Sequence, residues 1–234
     1  MNTGEEKSAK LLLNFRRMKA MSDNLNKSNI LFDYDSNNYG QYDLICGIDE
    51  AGRGPLAGDV YAAAVILKKD IFIEGLNDSK KLSEKKREML YDEIIAKSES
   101  YCIATASVKE IDEINILQAS MLAMKRAVEG LSKVPDIALV DGNRIPENMV
   151  CRCEYIIKGD AKSASISAAS VLAKVARDRY MKSLALKYPQ YCFEKHKGYP
   201  TKLHYEMIEK YGASDIHRKT FLKKFYAKQS EKSE

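Results

Sequence analysis

Five short apolar runs, set among longer helical patterns, constrain the fold of this chain more than any other feature. Each run is too short for a buried helix and predicts a β-strand. Because three strands come first and the later ones alternate with helices, the order predicts an α/β domain with a mixed five-stranded sheet flanked by helices. The runs cover residues 44–48, 60–67, 101–108, 137–140 and 155–157.

The spacing of apolar residues predicts the helices around this sheet. Ser83 fits the N-cap of the first helix, because its hydroxyl can accept a hydrogen bond from the first turn. A long pattern from Ser163 stops before Pro189, which cannot continue a helix. Two shorter patterns follow, so we predict a C-terminal helical extension from about residue 189. The remaining predicted helices cover residues 111–128, 163–187, 203–211 and 220–226.

The N-terminal forty residues are polar and lack a strand pattern. One stretch, 11–21, has apolar residues at roughly helical spacing and predicts a helix. The following stretch, 22–39, is rich in Asn, Ser and Asp and predicts a linker. We therefore divide the chain into an N-terminal helix and linker, 1–40, an α/β domain, 41–228, and a disordered tail, 229–234.

Composition favours an intracellular chain that folds around a core. Hydrophobic residues make up 45% of the 234 positions and charged residues 30%, which is typical of globular proteins. No apolar stretch approaches the roughly 20 residues that span a membrane, and no secretory signal is evident. The five cysteines form no CxxC pair, so we expect reduced thiols in a cytoplasmic protein. We also expect a monomer.

Positive charge is concentrated near the C-terminus. Residues 195–228 contain eight Lys and one Arg against three acidic residues, a surplus of six, whereas the whole chain has a net charge of +5. Such a stretch is either a solvated surface or a surface that contacts phosphates. The charge pattern alone leaves both interpretations open.

Carboxylates stand at the ends of three predicted strands. Asp49 and Glu50 end the first strand, Asp141 the fourth and Asp160 the fifth. Such ends form clefts in α/β sheets, and clustered carboxylates need hard cations such as Mg²⁺ or Mn²⁺ for compensation. A pair of these ions suits phosphodiester hydrolysis. Each Asp could instead be a turn former or an N-cap.

Asp49 and Glu50 pose a geometric problem. Adjacent residues on a regular strand point to opposite faces of the sheet. The two carboxylates can therefore share one site only if the chain leaves the strand at this point. The small residues Ala51 and Gly52 make such a departure feasible.

The segment that begins with these carboxylates resembles a known family signature. Its sequence over residues 47–58, GIDEAGRGPLAG, closely resembles the signature of ribonuclease HII, the type 2 ribonuclease H. The resemblance extends over most of 43–221. Asp59 and Tyr61 depart from the usual family residues but lie beyond the acidic pair. Further matching blocks are NDSKKL at 77–82, INILQA at 114–119, VDGN at 140–143, KGD at 158–160, ISAASVLAKV at 166–175 and HKGYPT at 196–201.

The resemblance implies a ribonuclease-H-like fold and an endonuclease. Its substrates would be RNA–DNA hybrids and duplex DNA that contains single ribonucleotides, cut to leave 3′-OH and 5′-phosphate ends. It also implies site residues. Asp49, Glu50, Asp141 and Asp160 would bind the two catalytic Mg²⁺ or Mn²⁺ ions, Gly52, Arg53 and Gly54 would read the 2′-OH, and Tyr199 would lie beside the next sugar.

Two other functions remain possible from the residues alone. The chain could be a nucleic-acid-binding protein that keeps the fold without catalysis, or a nuclease specific for DNA junctions. The four carboxylates argue against the first, and the Gly-Arg-Gly turn argues against the second, because DNA has no 2′-OH.

Outside this site, we predict that the three histidines are surface or packing residues, and that Lys174 and Arg177 are helix-surface charges.

Overall fold

The computed structural model of this protein describes residues 26–230, except for the side chains of Lys228 and Ser230. Its centre is a five-stranded sheet in the order β3-β2-β1-β4-β5. The first three strands pair antiparallel, whereas β4 is parallel to β1 and β5 is parallel to β4. The predicted mixed sheet is therefore confirmed. The strands are β1 (Ile45–Ala51), β2 (Val60–Leu67), β3 (Ser98–Ala106), β4 (Ile137–Asp141) and β5 (Arg152–Ile156).

Helices cover both faces of the sheet and form the C-terminal extension. The predicted N-cap Ser83 is confirmed, because its Oγ accepts from the backbone of Lys86, and Ser163 caps α4 in the same way by accepting from the backbone of Ile166. None of the helices within 26–230 is both long and apolar enough to cross a membrane. The helices are α1 (26–39), α2 (Glu84–Lys97), α3 (Val108–Glu129), α4 (Ala164–Lys187), α5 (Phe193–His196), α6 (Lys202–Tyr211) and α7 (Lys219–Ser230).

The alternation of side chains along β2 explains how one sheet supports two cores. Ala62 and Ala64 pack on the face that α3 covers, whereas Ala63 and Val65 pack on the face that α2 and α4 cover. Successive strand residues point to opposite faces, so an apolar strand of this kind must be covered on both sides. The sheet is consequently a rigid layer, which suits it to hold a site at its edge.

Helix α4 crosses β1 at a position where only a glycine fits. A Cβ at Gly47 would lie 2.0 Å from the backbone carbon of Ser165, far inside any normal contact. The missing side chain lets the first turn of α4 rest directly on the central strand. This contact fixes the start of α4 immediately after Asp160, one of the carboxylates expected in the site.

The N-terminal region differs from the sequence prediction. The linker predicted over 22–39 is wrong for residues 26–39, which form α1. Leu31 of this helix is buried in the core below α4. Asp35 is also buried, and its Oδ2 accepts hydrogen bonds from the backbone N–H and the hydroxyl of Ser165, each at 2.9 Å. Two polar residues of this stretch, Ser28 and Asp35, are therefore buried in contacts with the rest of the domain, whereas most of the others are exposed.

Two other predictions, one near each terminus, fall largely outside the described part of the chain. The helix predicted over 11–21 lies outside it. The predicted tail, 229–234, lies outside it except for its first two residues, which end α7. The domain boundaries at 40 and 228 stay predictions.

We expect Asp35→Ala to destabilise the protein by about 1–3 kcal/mol, because it leaves the buried N–H of Ser165 without its acceptor. Asp35→Asn should lower the free energy of unfolding by less, since Asn keeps an accepting oxygen and carries no charge into the buried site. Burial raises the pKa of Asp35, against the effect of its hydrogen bonds from Ser163 and Ser165. Urea denaturation measures both variants.

The matched control is Asp33→Ala, an exposed position on the same helix. It should change the free energy of unfolding by less than about 0.5 kcal/mol. Equal losses for Asp33→Ala and Asp35→Ala would show that Asp35 does not stabilise the start of α4.

Candidate active site

Three of the four predicted carboxylates meet at one edge of the sheet. Asp49, Asp141 and Asp160 each offer an oxygen atom, and these atoms all lie within 4.8 Å of one another. The parallel pairing of Ile48 with Val140 sets Asp49 beside Asp141, one residue further along both strands. Asp160 joins them from a 3-10 turn, Gly159–Ala161, that follows β5.

Glu50 stands apart from this acidic cluster. Strand β1 continues to Ala51 and Glu50 pairs with Ala62, so the expectation that the chain leaves the strand here is wrong. Its side chain is turned toward Arg53, with Nη1 and Oε1 separated by 3.4 Å. Burial raises the pKa of Glu50, the charge of Arg53 opposes this, and the nearby charge of Asp141 adds to the rise. Its role as a metal ligand stays a prediction.

The turn that carries Asp160 is held by a neighbouring carboxylate. Asp141 Oδ1 accepts a hydrogen bond from the backbone N–H of Gly159 at 2.6 Å and a longer one from that of Asp160 at 3.4 Å. One oxygen of Asp141 thus fixes the position of the third carboxylate. Charge-assisted hydrogen bonds of this kind are stronger than neutral ones.

The cluster is short of positive charge. Burial raises the pKa of Asp49 well above its usual value, and repulsion from Glu50 and Asp141 adds to the effect. Burial likewise raises the pKa of Asp160, followed by the charges of Asp141 and Asp78. A divalent cation would relieve this repulsion, and an all-oxygen set of ligands suits Mg²⁺ or Mn²⁺. The residues present therefore fit a metal centre.

Two residues beside the cluster were not assigned a role from the sequence. Lys80 Nζ lies 3.6 Å from Asp160 Oδ2, with 77% of its side chain exposed. Partial burial lowers the pKa of Lys80, but the charges of Asp49 and Asp160 outweigh it and raise the pKa. Asp78 accepts from the backbone N–H of Lys80 at 2.9 Å. Only their place in the NDSKKL block could have pointed to them.

The Gly-Arg-Gly turn and Tyr199 form one surface. A Cβ at Gly54 would lie 3.7 Å from the ring of Tyr199, so the turn and the ring face each other. The backbone N–H of Leu56 donates to the carbonyl of Gly198 at 2.8 Å and joins the two segments. Tyr199 is 39% exposed, and the side chain of Arg53 is 49% exposed. Both therefore remain available to a ligand.

Two buried arginines hold this turn from below. Arg177 was predicted to be a surface charge, which is wrong: it is 1% exposed and its guanidinium donates to the carbonyls of Ala57, Asp59 and Lys197. At Gly52, φ is +103° and a Cβ would lie 2.1 Å from Arg177 Nε, so only glycine fits.

Arg218 is the second of these arginines, and no sequence signal pointed to it. Its side chain is 0% exposed. It donates to the carbonyls of Gly52, Arg53, Pro55 and Gly58, at distances between 2.7 and 3.1 Å. Burial, and then repulsion from Arg177, lowers its pKa to about 9, so it stays charged at neutral pH. The backbone of the turn is thereby fixed without the use of its exposed side chains.

A mixed sheet of this order, with a carboxylate cluster on its parallel strands, defines a ribonuclease-H-like enzyme. The family model for ribonuclease HII matches residues 46–225. The ribonuclease HII of Marinomonas sp. (strain MWYL1) is 62% identical over 179 residues, which cover 76% of this chain and 90% of that protein. The ribonuclease HII of Caldicellulosiruptor bescii is 58% identical over 182 residues, 78% of this chain and 88% of that protein.

Solved structures give the same result. The ribonuclease H2 from Pyrococcus horikoshii OT3 superposes with a TM-score of 0.62 at 29% identity, and the match covers 76% of this chain and 93% of that one. The chain belongs to the ribonuclease HII family, and is a type 2 ribonuclease H. Helix α1, 26–39, lies outside the matched region.

We expect Asp141→Asn to lower cleavage by more than about 100-fold, because loss of a residue that merely supports a metal ligand already costs about 10- to 100-fold. The melting temperature should not fall. Asn still accepts from Gly159, and the mutual repulsion within the cluster decreases. Cleavage rates in Mg²⁺ and Mn²⁺, with thermal unfolding, check both expectations.

The control for charge alone is Asp92→Asn, an exposed position on α2. Its cleavage rate should match that of the unaltered protein. Full activity of Asp141→Asn at saturating Mn²⁺ would contradict the assignment of Asp141 to the metal centre.

Proposed function

We propose that this ribonuclease H hydrolyses the RNA strand of RNA–DNA hybrids and also cuts at single ribonucleotides within duplex DNA. The cut would leave 3′-OH and 5′-phosphate ends, without a covalent intermediate. The observation that carries this proposal is the adjacency of an acidic cluster and a Gly-Arg-Gly turn that faces an exposed tyrosine. The first suits phosphodiester hydrolysis and the second suits recognition of a sugar.

We assign the two divalent cations, Mg²⁺ or Mn²⁺, to Asp49, Asp141 and Asp160, with Glu50 as the fourth ligand. When bound, such a pair activates a water and compensates charge on the leaving oxygen. The protein residues supply the geometry. The β1–β4 pairing and the hydrogen bonds from Gly159 and Asp160 to Asp141 hold the oxygen atoms close despite their repulsion. Lys80, exposed beside Asp160, is suited to contact a phosphate of the substrate.

Recognition of the ribonucleotide falls to the turn and to Tyr199. The 2′-OH distinguishes RNA from DNA and both donates and accepts hydrogen bonds. We assign its recognition to the backbone of Gly52, Arg53 and Gly54, a turn that begins three residues after Asp49 of the acidic cluster. Tyr199, opposite Gly54, would lie against the next sugar. A ring in this position orients the scissile phosphate and carries no charge of its own.

The basic surface of α7 supports binding of the duplex backbone. Lys223 and Lys224 are exposed, whereas Arg218, counted in the same basic stretch, is buried and serves the turn. The phosphate-contacting interpretation therefore applies to the lysines alone. The cytoplasmic location of the protein stays a prediction. That the enzyme is a monomer stays a prediction.

Binding to a hybrid duplex should weaken as salt rises, and Lys223→Glu with Lys224→Glu should make this dependence shallower. Each phosphate contact that is lost reduces the slope of log affinity against log salt by about 0.9. Fluorescence anisotropy in Ca²⁺, across a salt series, measures the slope.

Lys133→Glu is the matched control. The side chain of Lys133 is half exposed, and the residue lies just before the start of β4, whereas Asp141 lies at the other end of that strand. The control's slope of log affinity against log salt should equal that of the unaltered protein. If the Lys223→Glu, Lys224→Glu variant also keeps that slope, the two lysines are merely solvated.

Tyr199→Ala should reduce cleavage at a lone ribonucleotide by about 100-fold, because a misplacement of about 1 Å can cost that much. The loss on long hybrids should be smaller, because a hybrid offers many alternative registers for cleavage. Mn²⁺ affinity should not change, since the acidic residues remain. Cleavage of both substrates, metal titration and melting temperature are measured on one preparation.

Tyr199 could instead serve only to pack the start of α6. The variant would then melt at a lower temperature, and both substrates would be cut more slowly by the same factor. That result would reject recognition of the ribonucleotide by Tyr199.

A further inference from the structure

Three buried histidines pack together in the C-terminal extension, apart from the acidic cluster. His196, His204 and His217 are 7%, 0% and 1% exposed. The rings of His196 and His204 stack with centroids 4.3 Å apart, and those of His204 and His217 lie 5.2 Å apart. Of the two alternatives predicted for these histidines, surface or packing, the structure shows packing. Packing alone, however, does not explain their hydrogen bonds.

The hydrogen bonds of His217 and His204 form a chain with a defined direction. His217 Nδ1 accepts from the backbone N–H of Ser214 at 3.0 Å, so in the neutral ring its proton is on Nε2. His217 Nε2 then donates to His204 Nε2 at 3.1 Å. His204 must therefore carry its proton on Nδ1, which donates to the carbonyl of Tyr199 at 3.0 Å.

The ring of His204 must be neutral for this chain to exist, because a second proton on it would bring two N–H groups face to face. A second proton on His217 would be carried by Nδ1, where it would replace the hydrogen bond from the backbone N–H of Ser214 and could be accepted by Ser214 Oγ, 2.8 Å away. Burial lowers the pKa of His204 and of His217 to about 4 each. The neutral forms therefore predominate at neutral pH, and the chain keeps its direction.

The same short segment also reaches the Gly-Arg-Gly turn. Arg218 follows His217 and donates to the carbonyls of Gly52 and Arg53. The backbone of His217 forms an isolated β-bridge with Ala57, three residues after the turn. The dipeptide His217–Arg218 thus holds Tyr199 through the His217 side chain, by way of His204, and holds the turn through the Arg218 side chain.

We propose that His204 and His217 are positioning residues, which set the distance between Tyr199 and the Gly52–Gly54 turn and thereby the preference for a ribonucleotide embedded in DNA. This inference rests on the proposed recognition of the ribonucleotide by Tyr199. Neither histidine touches the substrate. Each acts through the backbone of Tyr199, whose ring lies opposite Gly54.

Two substitutions at His204 separate positioning from packing. His204→Phe keeps a ring in the aromatic cluster but removes the donor to Tyr199. His204→Asn loses the ring, but its amide nitrogen superposes on Nδ1 and can donate to the same carbonyl. Both remove the partner of His217 Nε2, so both should destabilise the protein. Tyr191→Phe is the matched control, because it removes a hydrogen bond to Gly212 beside the His217 ring but leaves in place the hydrogen bonds from His217 to His204 and from His204 to Tyr199.

Single-turnover rates and Michaelis parameters are measured for a DNA duplex with one ribonucleotide and for a long hybrid. We expect His204→Phe to lower kcat on the single-ribonucleotide duplex about tenfold more than on the hybrid, with little change in KM. His204→Asn should retain most of the preference, and Tyr191→Phe all of it. In the double variant with Tyr199→Ala, His204→Phe should add nothing to the loss of preference.

Each other outcome overturns the proposal. If His204→Phe, His204→Asn and Tyr191→Phe all slow both substrates by one common factor, the histidines only pack. If Tyr199→Ala changes the preference but His204→Phe does not, the positioning role fails while the recognition role of Tyr199 stands. If Tyr199→Ala leaves the preference unchanged, the proposed recognition by Tyr199 fails, and the positioning role fails with it.

Discussion

The parallel pairing of β1 with β4 is the constraint on which the site depends. It brings Asp49 beside Asp141, and burial, followed by repulsion from Glu50 and Asp141, raises the pKa of Asp49. Only a stiff framework can hold such groups together. The two-sided cores of the sheet supply it, and Gly47 extends it by letting α4 rest on β1 just after Asp160. The fold therefore stabilises an arrangement that the carboxylates alone would disperse.

The sequence predicted the sheet and all three residues of the acidic cluster because both follow from local signals. Apolar runs mark strands, and a carboxylate at the end of a strand is visible without knowledge of its partners. The prediction failed where the conformation of a segment depends on contacts with residues that are distant in the sequence. Residues 26–39 are polar, yet they form α1, because Asp35 finds its partner at Ser165 and Leu31 finds the core. Glu50 stays on the strand because β2 pairs with it there.

The contacts by which two arginines hold the turn could not be predicted, because the guanidinium groups donate to backbone carbonyls, which every residue has. Arg177 and Arg218 have the same sequence appearance as surface cations, but tertiary structure places them beneath the turn over 52–58. Burial of a guanidinium is costly unless several of its donors are satisfied. A turn with φ above zero at Gly52 and Gly58 directs several carbonyls inward and meets that condition. Such a match between a turn and a distant arginine leaves no periodic trace in sequence.

The buried polar groups of the C-terminal extension give the turn an electrostatic environment different from that of the acidic cluster. The acidic cluster carries negative charge that needs cations, whereas the turn lies above two buried positive charges. Neutral histidines, and not further arginines, connect Tyr199 to this region, which avoids a third buried charge beside Arg177 and Arg218. A ring that accepts at one nitrogen and donates at the other transmits position without charge. The extension can thus fix Tyr199, for which we propose a contact with a sugar, while the sheet sets the electrostatics of the acidic cluster.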